Sequence, residues 1–296
     1  MRLLALITDG FGAGGGIARY NRDLMHALAL SSRVSRVVAL PRFGSEMASD
    51  LPRGVVQLPA AGHRLAWIAR AMAEAAKQRF DAVFCGHMNA APFASLLARS
   101  LRLPLWLQAH GIEAWQRRGG VYRRAARQAR LVTAVSRYTR SRLLEWSDAD
   151  PARVRVLPNT VHAIAGRGGN PSSLLERHGL QGKRVILTVG RLAAAERYKG
   201  HDRVIAALPA VTARVPDAVY LVAGSGDDKQ RLSGLASEMG VENRVIFTGQ
   251  VADEELPGYF RLADVFAMPS TGEGFGIVYL EAAAAGLPVI ACGRDG

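Results

Sequence analysis

Two α/β domains, each a parallel sheet with helices on both faces, are predicted for this 296-residue chain. Short apolar runs alternate with helix-spaced segments from the first residues onward, the rhythm of strand-helix-strand units. That rhythm is interrupted once, by the Gly-, Asn-, Ser- and Pro-rich stretch NTVHAIAGRGGNPSS at 159–173. A second series of the same kind then follows and ends at Gly296, directly after a strand-like run. The expected domains are therefore residues 1–165 and 166–296, the second cut short before a closing helix.

The strands of the first series are RLLALIT (2–8), RVVAL (36–40), GVVQLP (54–59), DAVFCGH (81–87), PLWLQAHG (104–111), RLVTAVS (130–136) and RVRVLPN (153–159). Most are apolar at successive positions rather than alternating, as strands buried on both faces are. Helical spacing fills residues 17–30 and 65–80 between them. The second series comprises VILTVG (185–190), AVYLVAGSG (218–226), RVIFTGQ (244–250), VFAMPS (265–270) and PVIAC (288–292). Ligands of such folds bind outside the carboxyl ends of the strands, and two domains facing each other would form a cleft there.

Hydrophobic residues make up 49% of the chain, which excludes a disordered protein. The two cysteines, Cys85 and Cys292, exclude a disulfide framework and point to a reducing cytoplasm. The N-terminal apolar run meets Asp9 too early for a signal-peptide core, and no run approaches the ~20 apolar residues of a membrane span. A soluble protein is expected. Its formal charge of +13 implies an anionic partner.

Four segments carry candidate chemistry. GFGAGGGIARY (10–20) follows the first strand, and its glycines would leave backbone N–H groups at a helix start, where a diphosphate can bind. Gly10, Gly12 and Gly15 fit the dinucleotide G-x-G-x-x-G only formally, because no acidic residue ends the second strand. In LQAHGIEAW, His110 sits at the carboxyl end of an apolar strand. In VGRLAAAERYKGHD, Arg191 lies past a strand and Lys199 near a helix start, a guanidinium and an ammonium placed as a phosphate clamp. In EGFGIVYLEAAAAG (273–286), Glu273 stands in a glycine-rich loop and Glu281 about two turns into the next helix. Carboxylates there, with the N–H groups of Phe275, Gly276 and Ile277, suit the hydroxyls of a sugar. Plainer readings exist for each: a flexible turn, a structural histidine, two solvated cations, a buried carboxylate with an arginine partner. Asp148 and Asp150 have diacid spacing but sit in a polar loop. No histidine or cysteine pair has ligand spacing, so no metal is expected.

Together these segments resemble the family 4 retaining glycosyltransferases, which have the two-Rossmann-domain GT-B fold. The resemblance runs nearly end to end: GGGIARY, HG at 110–111, VSRYTR (135–140), PNTV (158–161), VGRL with KG, GSGDD (224–228), RVIFTGQV (244–251) and EGFGIVYLEAAAAGLPVI (273–290). It implies a donor diphosphate held by Arg191, Lys199, Gly15 and Gly16. Glu281 would bond the ribose, and Glu273 with residues 275–277 the transferred sugar. His110 would lie at the sugar's reacting face and Val251 near the base. It implies hexose transfer from GDP-mannose or a UDP-sugar, as substrate rather than cofactor, to a glycan or lipid-linked acceptor in surface polysaccharide or glycolipid synthesis. No metal is implied, because cations meet the leaving phosphate.

The charge then has a candidate place. Residues 113–155 hold eleven arginines against Glu113, Glu145, Asp148 and Asp150. In RRGGVYRRAARQAR (117–130), Arg123, Arg127 and Arg130 fall on one helical face. Such a stretch could rest on anionic lipid at the inner face of the plasma membrane, or be an ordinary solvated helix. It lacks the interleaved aromatics of a nucleic-acid surface, and nucleic acid is not expected as a partner. Alternatives are a shortened nucleotide-sugar or membrane-surface binder without turnover, and a nucleotide-sugar epimerase. The epimerase would need further acid/base carboxylates.

Overall fold

The structure, a computed structural model, describes residues 1–12, 14–44, 51–161 and 171–293. Its contacts divide the chain into two compact units between Thr160 and Val161, ahead of the 165/166 boundary expected above. Residues 162–170 of the expected linker lie outside the described residues.

The N-terminal unit contains, in order, β1 (Arg2–Ile7), α1 (Gly16–Leu30), β2 (Arg36–Pro41), β3 (Val55–Gln57), α2 (Arg64–Lys77), β4 (Ala82–Cys85), α3 (Ala91–Ser100), β5 (Leu105–Ala109), α4 (Ile112–Trp115), α5 (Gly120–Gln128), β6 (Leu131–Ala134), α6 (Arg137–Leu144) and β7 (Val154–Val156). Its seven strands form one sheet in the order β3-β2-β1-β4-β5-β6-β7, with every pairing parallel. Period-two alternation sends Leu4 and Leu6 of β1 to one face, with Val38, Leu40, Val83 and Leu107. Leu3, Ala5 and Ile7 go to the other, with Val37, Ala39 and Phe84. Both faces are covered, which explains the unbroken apolar runs.

The C-terminal unit follows the same plan. It contains α7 (Pro171–His178), β8 (Arg184–Val189), α8 (His201–Arg214), β9 (Ala218–Ala223), α9 (Lys229–Glu238), β10 (Val245–Gly249), α10 (Leu256–Leu262), β11 (Val265–Met268), α11 (Ile277–Ala284) and β12 (Val289–Ala291). Five parallel strands run in the order β10-β9-β8-β11-β12. Leu187, Leu221 and Phe266 pack on one side, and Tyr220, Val222 and Ala267 on the other.

Strand order reverses between β1 and β4 in the first sheet and between β8 and β11 in the second. Loops leaving such neighbours diverge to opposite faces and leave a crevice at the carboxyl ends, where ligands of open α/β sheets bind. Every candidate site segment lies in or beside a loop leaving a strand near one of these two points.

Candidate functional site

In the C-terminal unit the loop after β8 is stitched to its neighbours on both sides. Leu192 donates its N–H to Ser225 O at 2.9 Å, and Asp228 donates to Leu192 O at 2.8 Å. The Asp227 carboxylate accepts the Ala194 N–H at 2.7 Å. Buried Asp228 holds Arg197 at 3.0 Å and Arg231 at 2.5 Å, and those guanidinium bonds, Arg231 first, keep it below the usual carboxylate range. Toward β11, the Thr271 N–H reaches Tyr198 O at 2.9 Å. Gly200 lies in the left-handed region at φ +79°, and a Cβ there would stand 2.7 Å from Pro269 O. Glycine is thus what lets the two loops meet.

That stitching gathers charges. The Arg191 guanidinium contacts Glu196 Oε1, and Lys199 Nζ lies 3.0 Å from Glu196 Oε2. Burial first, and then the charges of Glu196 and Glu273, hold the Tyr198 phenol above its usual range, with Arg191 opposing. Arg191 and Lys199 are thus joined through Glu196, and the charges of Arg191, Glu196 and Glu273 all act on the Tyr198 phenol. Sequence reasoning missed Glu196 and Tyr198. Glu196 stands three residues before Lys199, a spacing that brings side chains together on a helical turn and could have revealed it.

Past Glu273 the chain turns through Gly276, at φ +70°, where a Cβ would meet the Tyr279 ring at 2.3 Å. Tyr279 anchors this turn by donating its hydroxyl to Met268 O at 2.7 Å. α11 begins at Ile277, so the N–H groups of Ile277 and Val278 stand at the open end of the helix, that of Tyr279 donates to Gly276 O at 3.0 Å, and those of Phe275 and Gly276 precede the helix. Glu281 is buried about one turn into α11, not two, because the helix starts after the glycine loop rather than within it. Val251 lies just past β10 and packs on the core with Ala223, Met268 and Tyr279.

In the N-terminal unit, the glycine-rich loop leaving β1 is clamped by a side chain that sequence reasoning passed over. The Gln57 amide accepts the Phe11 N–H and donates to Phe11 O, both at 2.9 Å. Asn21 donates to Asp9 O at 2.7 Å. Gly15 caps α1 and Gly16 begins it. A Cβ at Gly14 or Gly15 would meet no atom within 4 Å, so this stretch borders open space.

His110 follows β5. Its Nε2 lies 2.9 Å from Gly86 O, and a carbonyl only accepts, so the proton sits on Nε2. The ring stands edge-on to Tyr20 at 4.9 Å, and the His110 backbone N–H is taken by Glu113 at 2.6 Å. Burial pushes the imidazole down to about 4 despite the Glu113 charge, so it is neutral at physiological pH. A second imidazole, His87 after β4, lies 6.1 Å away and accepts the Asn89 N–H on Nδ1 at 3.1 Å. It was not singled out in the sequence, although it ends a strand as His110 does.

The basic stretch differs from its expected form. α5 stops at Gln128 and Ala129 is extended (ψ 137°), so Arg130 is not on the helical face with Arg123 and Arg127. Arg123 is bound by Asp148 through contacts at 2.7 and 2.6 Å. Arg124 and Arg127 remain exposed and, with Gly120, Arg123 and Asp148, line a shallow cavity of about 180 Å³. Asp150 caps a turn by accepting the Ala152 N–H at 2.9 Å. Among the described residues no three His, Cys, Asp or Glu side chains converge as a metal site, and no helix is long and apolar enough to cross a membrane.

The family described as Glycosyltransferase Family 4 matches residues 14–163, more than half of the chain. The chain belongs to glycosyltransferase family 4. A second family description, Glycosyl transferases group 1, matches residues 173–296. The chain is 40% identical over 182 residues to the GDP-mannose-dependent alpha-(1-6)-phosphatidylinositol monomannoside mannosyltransferase of Mycolicibacterium smegmatis, covering 59% of this chain and 47% of that protein. The chain thus spans about half the length of the curated relatives it matches. Among solved structures, Anabaena Alr3699/HepE in complex with UDP-glucose aligns over 100% of this chain and 81% of its own, with TM-score 0.74 and 23% identity. WaaG, a glycosyltransferase involved in lipopolysaccharide biosynthesis, aligns over 99% of this chain and 82% of its own, with TM-score 0.73 and 20% identity. The fold is the GT-B fold of these glycosyltransferases, two Rossmann-like parallel-sheet domains.

Proposed function

We propose that the chain transfers a hexose from a nucleoside-diphosphate sugar, with retention of configuration, to a glycan or lipid-linked acceptor in surface polysaccharide or glycolipid synthesis. The observation that carries this reading is the joining of Arg191 and Lys199 through Glu196, on the loop leaving β8 at the strand-order reversal of a family 4 chain. In this reading Arg191 and Lys199 hold the diphosphate and stabilise the charge that grows on it as it leaves. Gly15 and Gly16 supply backbone N–H groups to it from α1. Glu281 bonds the ribose, Val251 borders the base, and Glu273 with the amides of Phe275, Gly276 and Ile277 holds the sugar.

His110, neutral and with its proton fixed on Nε2, is a hydrogen-bonding group for the sugar rather than a cation beside an oxocarbenium-like centre. The acceptor hydroxyl attacks from the face the phosphate leaves and gives its proton to that phosphate. Two cations meet the leaving group, so the route uses no metal and no cofactor. GDP-mannose and UDP-sugars are the donors to test, because the mycolicibacterial relative is described as GDP-mannose-dependent and the Anabaena structure contains UDP-glucose. The exposed Arg124 and Arg127 on α5 would rest on anionic lipid at the inner face of the plasma membrane and bring a lipid-linked acceptor within reach.

Calorimetry with UDP and GDP, followed by incubation of GDP-mannose and UDP-sugars with a lipid extract, tests the proposal. Tight binding of one diphosphate and sugar transfer from its donor are expected. Binding with neither transfer nor donor hydrolysis would favour a nucleotide-sugar binder, and no binding at all would remove the donor site.

A further inference from the structure

Glu196 bridges the two cations assigned to the donor diphosphate, with Oε1 on the Arg191 guanidinium and Oε2 3.0 Å from Lys199 Nζ. Its side chain is 14% exposed, as is that of Lys199, whereas Arg191 is 76% exposed. The carboxylate is thus set into the loop, between one fixed cation and one that can swing outward. It hangs on the 3-10 turn Ala194–Lys199, and its backbone N–H is tied to Ala193 O at 2.8 Å. Ala194 and Arg197 on either side are fixed by Asp227 and Asp228. Nothing in this arrangement needs a carboxylate for the fold, since the loop is already held by those two aspartates and by Leu192.

A diphosphate oxygen and a carboxylate oxygen ask for the same thing from a guanidinium or an ammonium: a charge-assisted N–H donor. We propose that Glu196 is a built-in substitute anion. It holds Arg191 and Lys199 in position while the site is empty, then yields their donors to the donor diphosphate. The inference rests on the proposed diphosphate role of these two cations. It makes Glu196 a positioning residue that acts through them, with two consequences. The free protein is spared a largely buried Lys199 ammonium without an anion, and the Arg191 guanidinium shares the same carboxylate. The diphosphate must displace an internal partner, so product binds less tightly than the two cations alone would allow and leaves more readily.

The test compares Glu196→Gln with the parent by calorimetry against UDP, GDP, uridine and guanosine. Removing two partly exposed ion pairs from the empty state predicts tighter binding of the preferred diphosphate by about fivefold or more, the scale of two such pairs. Uridine and guanosine, which do not reach the cations, are expected to bind the variant as they bind the parent. Stronger product inhibition should accompany the gain. Glu196→Asp keeps the charge on a shorter stem and should shift affinity in the same direction by less. It carries the test if the glutamine variant does not fold. Diphosphate binding that is unchanged or weaker in the folded variant overturns the inference, and so does a gain shared equally by the bare nucleosides. A parent protein that binds neither diphosphate would instead remove the proposed function, and this inference with it.

Discussion

Acid should weaken this protein through its buried histidines, and for His201 by an amount that the structure sets. His201 begins α8 beside Lys199, is 5% exposed, and shares its Nδ1 with Tyr220 Oη at 3.1 Å. That hydroxyl in turn meets Thr188 Oγ1 at 2.8 Å inside the sheet. Burial first and then the Lys199 charge push the imidazole down to about 4, outweighing Asp202 and Asp228. In the unfolded chain it titrates near its ordinary value of about 6.5. The unfolded state therefore takes up the proton first, so stability is intact above pH ~6.5 and is lost as pH falls toward 4. For pKa values of 6.5 and about 4, the loss between pH 7 and pH 5 is about 2 kcal/mol, a large share of a typical domain's 5–15. His201→Asn keeps a hydrogen-bonding atom near the Nδ1 position and cannot titrate. Urea denaturation of parent and variant at pH 7 and pH 5, followed by far-UV circular dichroism, measures the difference. Tryptophan fluorescence adds a reading confined to the N-terminal unit, where Trp67, Trp106, Trp115 and Trp146 all lie. The variant should be less acid-sensitive than its parent by about 2 kcal/mol. Equal losses in both proteins would show that His201 does not carry this proton linkage.

Lys199→Ala should lower turnover more than ~100-fold, the scale for losing one preorganised electrostatic partner, and near-parental turnover in steady-state assays would overturn the clamp. Gly276→Ala places a Cβ 2.3 Å from the Tyr279 ring at φ +70° and should cost about 1–3 kcal/mol in denaturant titrations, together with weaker donor binding. His110 titrates near 4, so the pH–rate profile should show no ionisation from it between pH 5.5 and 8; a limb near pH 6.5 that His110→Gln abolishes would refute that. Arg124→Glu with Arg127→Glu should reduce flotation with vesicles containing anionic lipid and leave flotation with neutral vesicles unchanged, whereas lipid-independent behaviour of the parent would remove the membrane surface from the proposal.

Central strand positions were legible because their apolar runs are buried on both sides, so hydrophobicity alone marks them, as in Leu3 to Ile7 of β1. Loop positions were legible because special backbone leaves a mark in residue choice, as glycine does at Gly200 and Gly276. What stayed hidden are pairings that sequence distance conceals. Gln57 clamps Phe11 from 46 positions away, and Asp148, readable only as half of a diacid, serves as the partner of Arg123 from 25 positions away. Arg130 was placed on a helix face because periodicity cannot register that Ala129 turns the backbone extended. Glu196 is the instructive omission, since it stood in plain sight within the stretch quoted for its two cations. A search for phosphate-binding cations attends to positive charge and treats a nearby carboxylate as surface noise. Yet a largely buried Lys199 brought beside a second cation needs an anion of its own, and the chain supplies one three residues before it. A pair of cations proposed as an anion clamp should therefore prompt a search for the internal acid that holds it when the ligand is gone.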